Sequence, residues 1–180
     1  ERIRYDLPKM NGLSISVGTI VGNGGGDYDA GVSYETKMGD MTTFVGGQMN
    51  SNSDAASDGS WGFSAGMKHP SGFSLQGRFG TRDNNTAGAS DPEGYGVLVG
   101  YKAKLISAAT TNFAFQYINT QDLANDGDDA EVWMVGASQG LGSGVTVHAS
   151  YRNFSLDRIA SANQDLDDIS SFFLGTVVKF

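Results

Sequence analysis

The chain has 180 residues, no cysteine and a formal net charge of -8. That length suits one domain, and the absence of cysteine excludes a disulfide framework and any thiolate metal site. The acidity argues against nucleic acid as a partner, and no apolar run approaches the length of a membrane-crossing helix.

The opening "ERIRYD" reads as the interior of a strand rather than a leader. Period-two segments follow along the whole chain. They predict eleven strands, at 1–6, 13–21, 28–37, 41–50, 60–69, 73–82, 94–104, 111–119, 130–139, 144–153 and 169–180, with no helix. The connections alternate in length. "LPKMNG", "MGD", "PSG", "ISAATT" and "GLGSG" are short. "GNGGGD", "SNSDAASDG", "DNNTAGASDPE", "QDLANDGDD" and "SLDRIASANQDLDD" are long and carry most of the carboxylates. A soluble sandwich has no reason to sort its loops by parity. A barrel in an outer membrane does, with short turns on the periplasmic side and long loops outside. A mean hydropathy of -0.26 agrees with such a barrel, because only alternate residues meet lipid.

One parity of the strands is apolar. It holds Leu13, Ile15 and Val17, then Trp61, Phe63 and Ala65, then Tyr95, Val97, Val99 and Tyr101, with aromatics toward the strand ends. On 41–50 the outward set is Met41, Val45 and Met49. The other parity is small or polar, with Ser14, Ser16, Ser33, Ser64, Gly66, Gln76, Gly96, Gln116 and Ser150. It also collects Arg2, Arg4, Lys37, Lys68, Arg78, Arg82, Lys102, Lys104, Arg152 and Lys179. A base facing lipid near the midplane costs about 2–4 kcal/mol, so this parity faces inward. The expected fold is all-β: a transmembrane antiparallel up-and-down β-barrel, one domain over 1–180.

The last strand, "SSFFLGTVVKF", places Phe172, Leu174, Val178 and Phe180 on the lipid side. That ending resembles the C-terminal assembly signature of bacterial outer-membrane proteins. "RIRYDLPKMNGLSISVG" resembles the strand, turn and strand that follow the constriction loop of Gram-negative general porins, above all the alphaproteobacterial type. "YDAGVSYETKMGDMTTFVGG" and "EVWMVGASQGLGSGVTVHASY" resemble hairpins of the same family. The resemblance implies a sixteen-stranded homotrimeric channel in the bacterial outer membrane, open to ions and small hydrophilic solutes. Eleven strands are then the C-terminal two thirds of the barrel, with five strands and the constriction loop preceding them. A twelve-stranded barrel with one further strand is the rival.

In that family basic residues on the wall face acidic residues on an inward-folded loop. The resemblance places Arg4 on one rung, with Arg2 one step away. Arg78 and Arg82, with Lys68 on the adjacent strand, extend the basic wall. Lys102 and Lys104 mark the periplasmic vestibule, and Arg152 is inward too. His148 is expected as a hydrated lumen side chain; no spacing around it and Ser150 supports a hydrolase, and no enzyme is expected. Asp126, Asp128 and Asp129 in "NDGDD" offer oxygen ligands for Ca²⁺, the one cofactor considered, or for cation bridges to lipopolysaccharide beside the outer-membrane lipid. Gly46–Gly47 is a small flat face suited to a subunit contact. The alternative to an open channel is a plugged barrel, structural or adhesive, that acts through its acidic loops.

Overall fold

The computed structural model describes residues 2–20, 26–54, 57–106, 109–123, 125–158 and 166–179. Eleven strands are present: β1 (Arg2–Asp6), β2 (Leu13–Ile20), β3 (Asp27–Met38), β4 (Met41–Asp54), β5 (Ser57–Lys68), β6 (Phe73–Arg82), β7 (Glu93–Ile106), β8 (Ala109–Gln121), β9 (Asp129–Gly142), β10 (Val145–Asp157) and β11 (Ile169–Val178). They form one sheet in chain order, every neighbouring pair antiparallel. Among the described residues the sheet is open: β1 pairs only with β2 and β11 only with β10.

The expected strands are all there, and β4 and β5 reach further into "SNSDAASDG" than expected. β4 and β5 extend past the expected strand ends to Asp54 opposite Ser57, with an irregularity in the register between Ser51 and Asp54. Alternation of apolar residues ends near Met49, whereas backbone pairing of β4 with β5 continues beyond it.

No hydrophobic side chain among the described residues is buried. The apolar parity instead forms an exposed outer face. Register carries Phe63, Phe79 and Tyr95 as one outer row toward the long connections. Phe73, Tyr101 and Phe113 form another toward the short turns. Aliphatic side chains such as Val97 and Val99 lie between them, and Trp61 and Phe63 both pack on Phe79, with ring centroids 5.6 and 5.7 Å apart. Phe172 and Leu174 are 70% and 71% exposed on this face, and Val178 joins them; Phe180 lies outside the described residues. Met41, Val45 and Met49 share the outer face, as expected. Gly46 and Gly47 do not form one surface: successive residues of a strand point to opposite sides, and a Cβ on Gly46 would meet the inward Ser33.

Three short turns repeat one device. Gly12, Gly72 and Gly144 have positive φ, and each carbonyl accepts the N–H of the next strand over, from Glu35, Lys102 and Lys179. Asn11 and Gly12 form the left-handed pair that suits a tight hairpin. A Cβ on Gly72 would stand 2.1 Å from the Lys102 carbonyl oxygen. We therefore expect Gly72→Ala to destabilise the folded barrel by about 3 kcal/mol or to prevent its assembly. The checks are denaturant unfolding and heat-modifiable gel migration of the full-length protein.

Candidate pore wall

The other parity lines the concave side. An open trough of about 950 Å³ is bordered by Arg4, Asp6, Gln48, Arg78, Arg82 and Ile118 among others. Along one row of its lining Gly62, Gly80 and Gly94 face one another in register. With no side chains there, this stretch of wall is bare backbone and leaves room for water and solute.

The charges on the wall fall into two kinds. Arg2 and Arg4 are already paired. Arg2 donates through Nε and Nη2 to the two carboxylate oxygens of Asp29 at 3.2 and 2.7 Å, and Arg4 donates to Asp6 Oδ1 at 2.9 and 2.7 Å. The chain thus supplies its own acidic partners, which the family resemblance had led us to expect on a loop. Alternation alone puts Asp6 and Asp29 on the face of Arg2 and Arg4, so this signal was present in the sequence. Arg78, Arg82 and Arg152, by contrast, make no ion pair among the described residues.

Lys68 does not extend the wall of Arg78 and Arg82. Its register partners are Thr42 and Ser74, whereas Arg78 faces Ser64 and Arg82 faces Ser60. Four residues of strand separate Lys68 from the Ser64 rung, about 13 Å at 3.3 Å per residue. Lys68 shares its rung instead with Lys37, through Thr42. Lys102 and Lys104 are exposed close to the β7–β8 turn. Lys9 is in the β1–β2 turn and Lys179 follows β11, so every lysine of the chain stands at the short-turn end.

His148 points inward, as expected, but its ring stacks on Phe173 at 5.3 Å and 21°. The three loop aspartates do not converge. Asp126 accepts the Ser90 N–H at 2.7 Å. Asp128 is 2% exposed and takes Asn125 at 3.0 Å and Arg158 at 3.5 Å. Asp129 accepts Asn119 and Gln121. Each carboxylate ties its loop to a neighbour, and no group of three metal-capable side chains forms among the described residues.

A family model described as Gram-negative porin matches residues 1–158. No curated protein matches the chain by sequence. Among solved structures, OmpT, an outer membrane protein of Vibrio cholerae, is 12% identical with a TM-score of 0.66, covering 98% of this chain and 63% of its own. It has also been solved in a trimer form. OccD3 of Pseudomonas aeruginosa gives a TM-score of 0.68 at 12% identity, over 98% of this chain and 55% of its own. The porin NanC, a chain of nearly the same length, gives 0.52 at 16% identity, over 99% of this chain and 92% of its own. The chain thus spans about three fifths of the longer structures it superposes on.

Proposed function

Because the chain belongs to the Gram-negative porin family, we propose that it forms part of the wall of a water-filled pore in the bacterial outer membrane. Ions and small solutes diffuse through that pore passively, and no reaction occurs on the chain. The observation that carries this reading is the inversion of the sheet. Among the described residues no hydrophobic side chain is buried, most of the large apolar side chains crowd the outer face, and the concave face holds a glycine-lined trough where Arg78 and Arg82 make no ion pair. In water the outer face would be untenable; in lipid it is the solvated face.

Among the described residues β1 and β11 each pair on one side only, which leaves edge N–H and C=O groups that hydrocarbon cannot satisfy. Further strands therefore complete the barrel in the mature protein. The chain superposes over 98% of its length on longer outer-membrane proteins of which it spans 63% and 55%, which supports a barrel with more strands than these eleven. A homotrimer is the expected assembly. The free bases on the wall favour anions, while the acidic long connections surround the outer mouth.

The test is conductance of the full-length protein in a planar bilayer under a salt gradient. Stepwise conductance grouped in threes, with a reversal potential of anionic sign, is the expected result. A silent bilayer with confirmed insertion would overturn the pore reading and leave the plugged barrel.

A further inference from the structure

The concave face is not polar throughout. One register row runs from Arg78 through Gly96, Ile118, Val132 and Phe154 to Ile169. From β8 onward it is entirely apolar. Neighbouring strands lie about 4.8 Å apart, so Ile118, Val132 and Phe154 make a strip about 10 Å long. Phe154 is 37% exposed and Ile169 is 67% exposed. Ile118 borders the same trough as Arg78 and Arg82. A wall that served only hydrated ions would gain nothing from such a strip.

Two free cations frame it. Arg78 lies across Gly96 toward Ile118: a Cβ at Gly96 would stand 3.0 Å from Arg78 Nε. Arg152, one row away, brings its Nε to 3.2 Å from Met134 Sδ. Neither guanidinium has a carboxylate among the described residues. An unpaired planar donor fork beside an apolar strip complements one chemical class. A carboxylate takes the fork and an apolar body of about ring size lies along the strip.

We propose that the pore wall binds small amphiphilic anions in transit, namely carboxylates that carry an aromatic ring or a short aliphatic chain. This rests on the pore reading and narrows its solute class. Benzoate and acetate are the matched probes, since they share the carboxylate and differ in the apolar body. Burying about 60 Å² of ring at about 25 cal/mol per Å² gives benzoate a preference of about tenfold.

The experiment uses the full-length protein with Phe154→Cys, labelled by a neutral water-soluble maleimide and located by peptide mass; heat-modifiable migration confirms folding. These 180 residues contain no other cysteine. The thiol should react, benzoate should slow it, and acetate should need about ten times the concentration for the same slowing. In the bilayer, benzoate should interrupt the wild-type current, and Val132→Thr should shorten the interruptions, each measured against the KCl current of the same protein. An unreactive thiol in a folded, conducting protein would mean that a segment of the longer chain covers the strip, and would overturn the proposal. So would labelling that benzoate does not slow, or interruptions unchanged in Val132→Thr. All three leave the pore reading standing. Loss of KCl conductance in the wild type would instead overturn the pore reading, and this proposal with it.

Discussion

Reversing Arg78 and Arg82 together to glutamate should turn the full-length pore from anion to cation preference. A unit charge about 8 Å from an ion in water acts with about 0.5 kcal/mol, roughly halved by 0.1 M salt. Each reversal changes the charge by two units and acts oppositely on anion and cation. Two reversals together therefore alter the relative barrier by about 2 kcal/mol, a change in permeability ratio between about tenfold and thirtyfold. The reversal potential under a salt gradient reads it directly. The matched control is Arg2→Gln with Asp29→Asn. That pair is already neutral at 2.7 Å, so its removal should leave the ratio within about twofold. If the arginine reversal moves the ratio no more than the control does, Arg78 and Arg82 are not at the narrow part of the pore.

The contrast between those two substitutions shows which part of the site could be read from the sequence. Alternation was enough to place Arg2, Arg4, Arg78, Arg82 and Arg152 on one face, because a charge on the lipid side is so costly that strand parity is enforced by energy. Alternation says nothing of depth along the strand. Depth depends on which rung meets which, and that is why Lys68 looked like a neighbour of Arg78 until the register joined it to Thr42 and Lys37. The same limit hid the apolar strip. In "VWMV" (Val132–Val135) both parities are apolar, so alternation turns Trp133 and Val135 outward but does not mark Val132 as part of an inner apolar row. Only pairing with Ile118 and Phe154 shows a continuous inner row. Spacing puts Asp126, Asp128 and Asp129 close together, but it does not show their partners: Asp126 takes an N–H from Ser90 on another connection, Asp128 takes Asn125 and Arg158, and Asp129 takes Asn119 across the β8–β9 hairpin.

The inversion of the sheet also predicts opposite costs at adjacent residues. Val97 and Leu98 are neighbours on β7. Val97 pairs in register with Gly77 and Tyr117 on the outer face, between Tyr95 and Tyr101. Leu98 pairs with Gln76 and Gln116 on the inner face. By hydropathy the two are interchangeable, and in a soluble sheet with a core on one side the residue facing that core would tolerate arginine least. If the outer face is bathed in lipid, Val97→Arg should cost about 2–4 kcal/mol, because its guanidinium must be carried into hydrocarbon or drag water after it. Leu98→Arg places the same charge in the water of the trough and should cost about 0.5 kcal/mol or less. Urea unfolding of the full-length protein in phospholipid vesicles, followed by tryptophan fluorescence, measures both. Equal costs would mean that neither face meets lipid, and a larger cost at Leu98 would mean that the trough is a core. The predicted order can arise only if water lies on the concave side, because a single strand then separates a wet residue from a dry one with no change in its own composition.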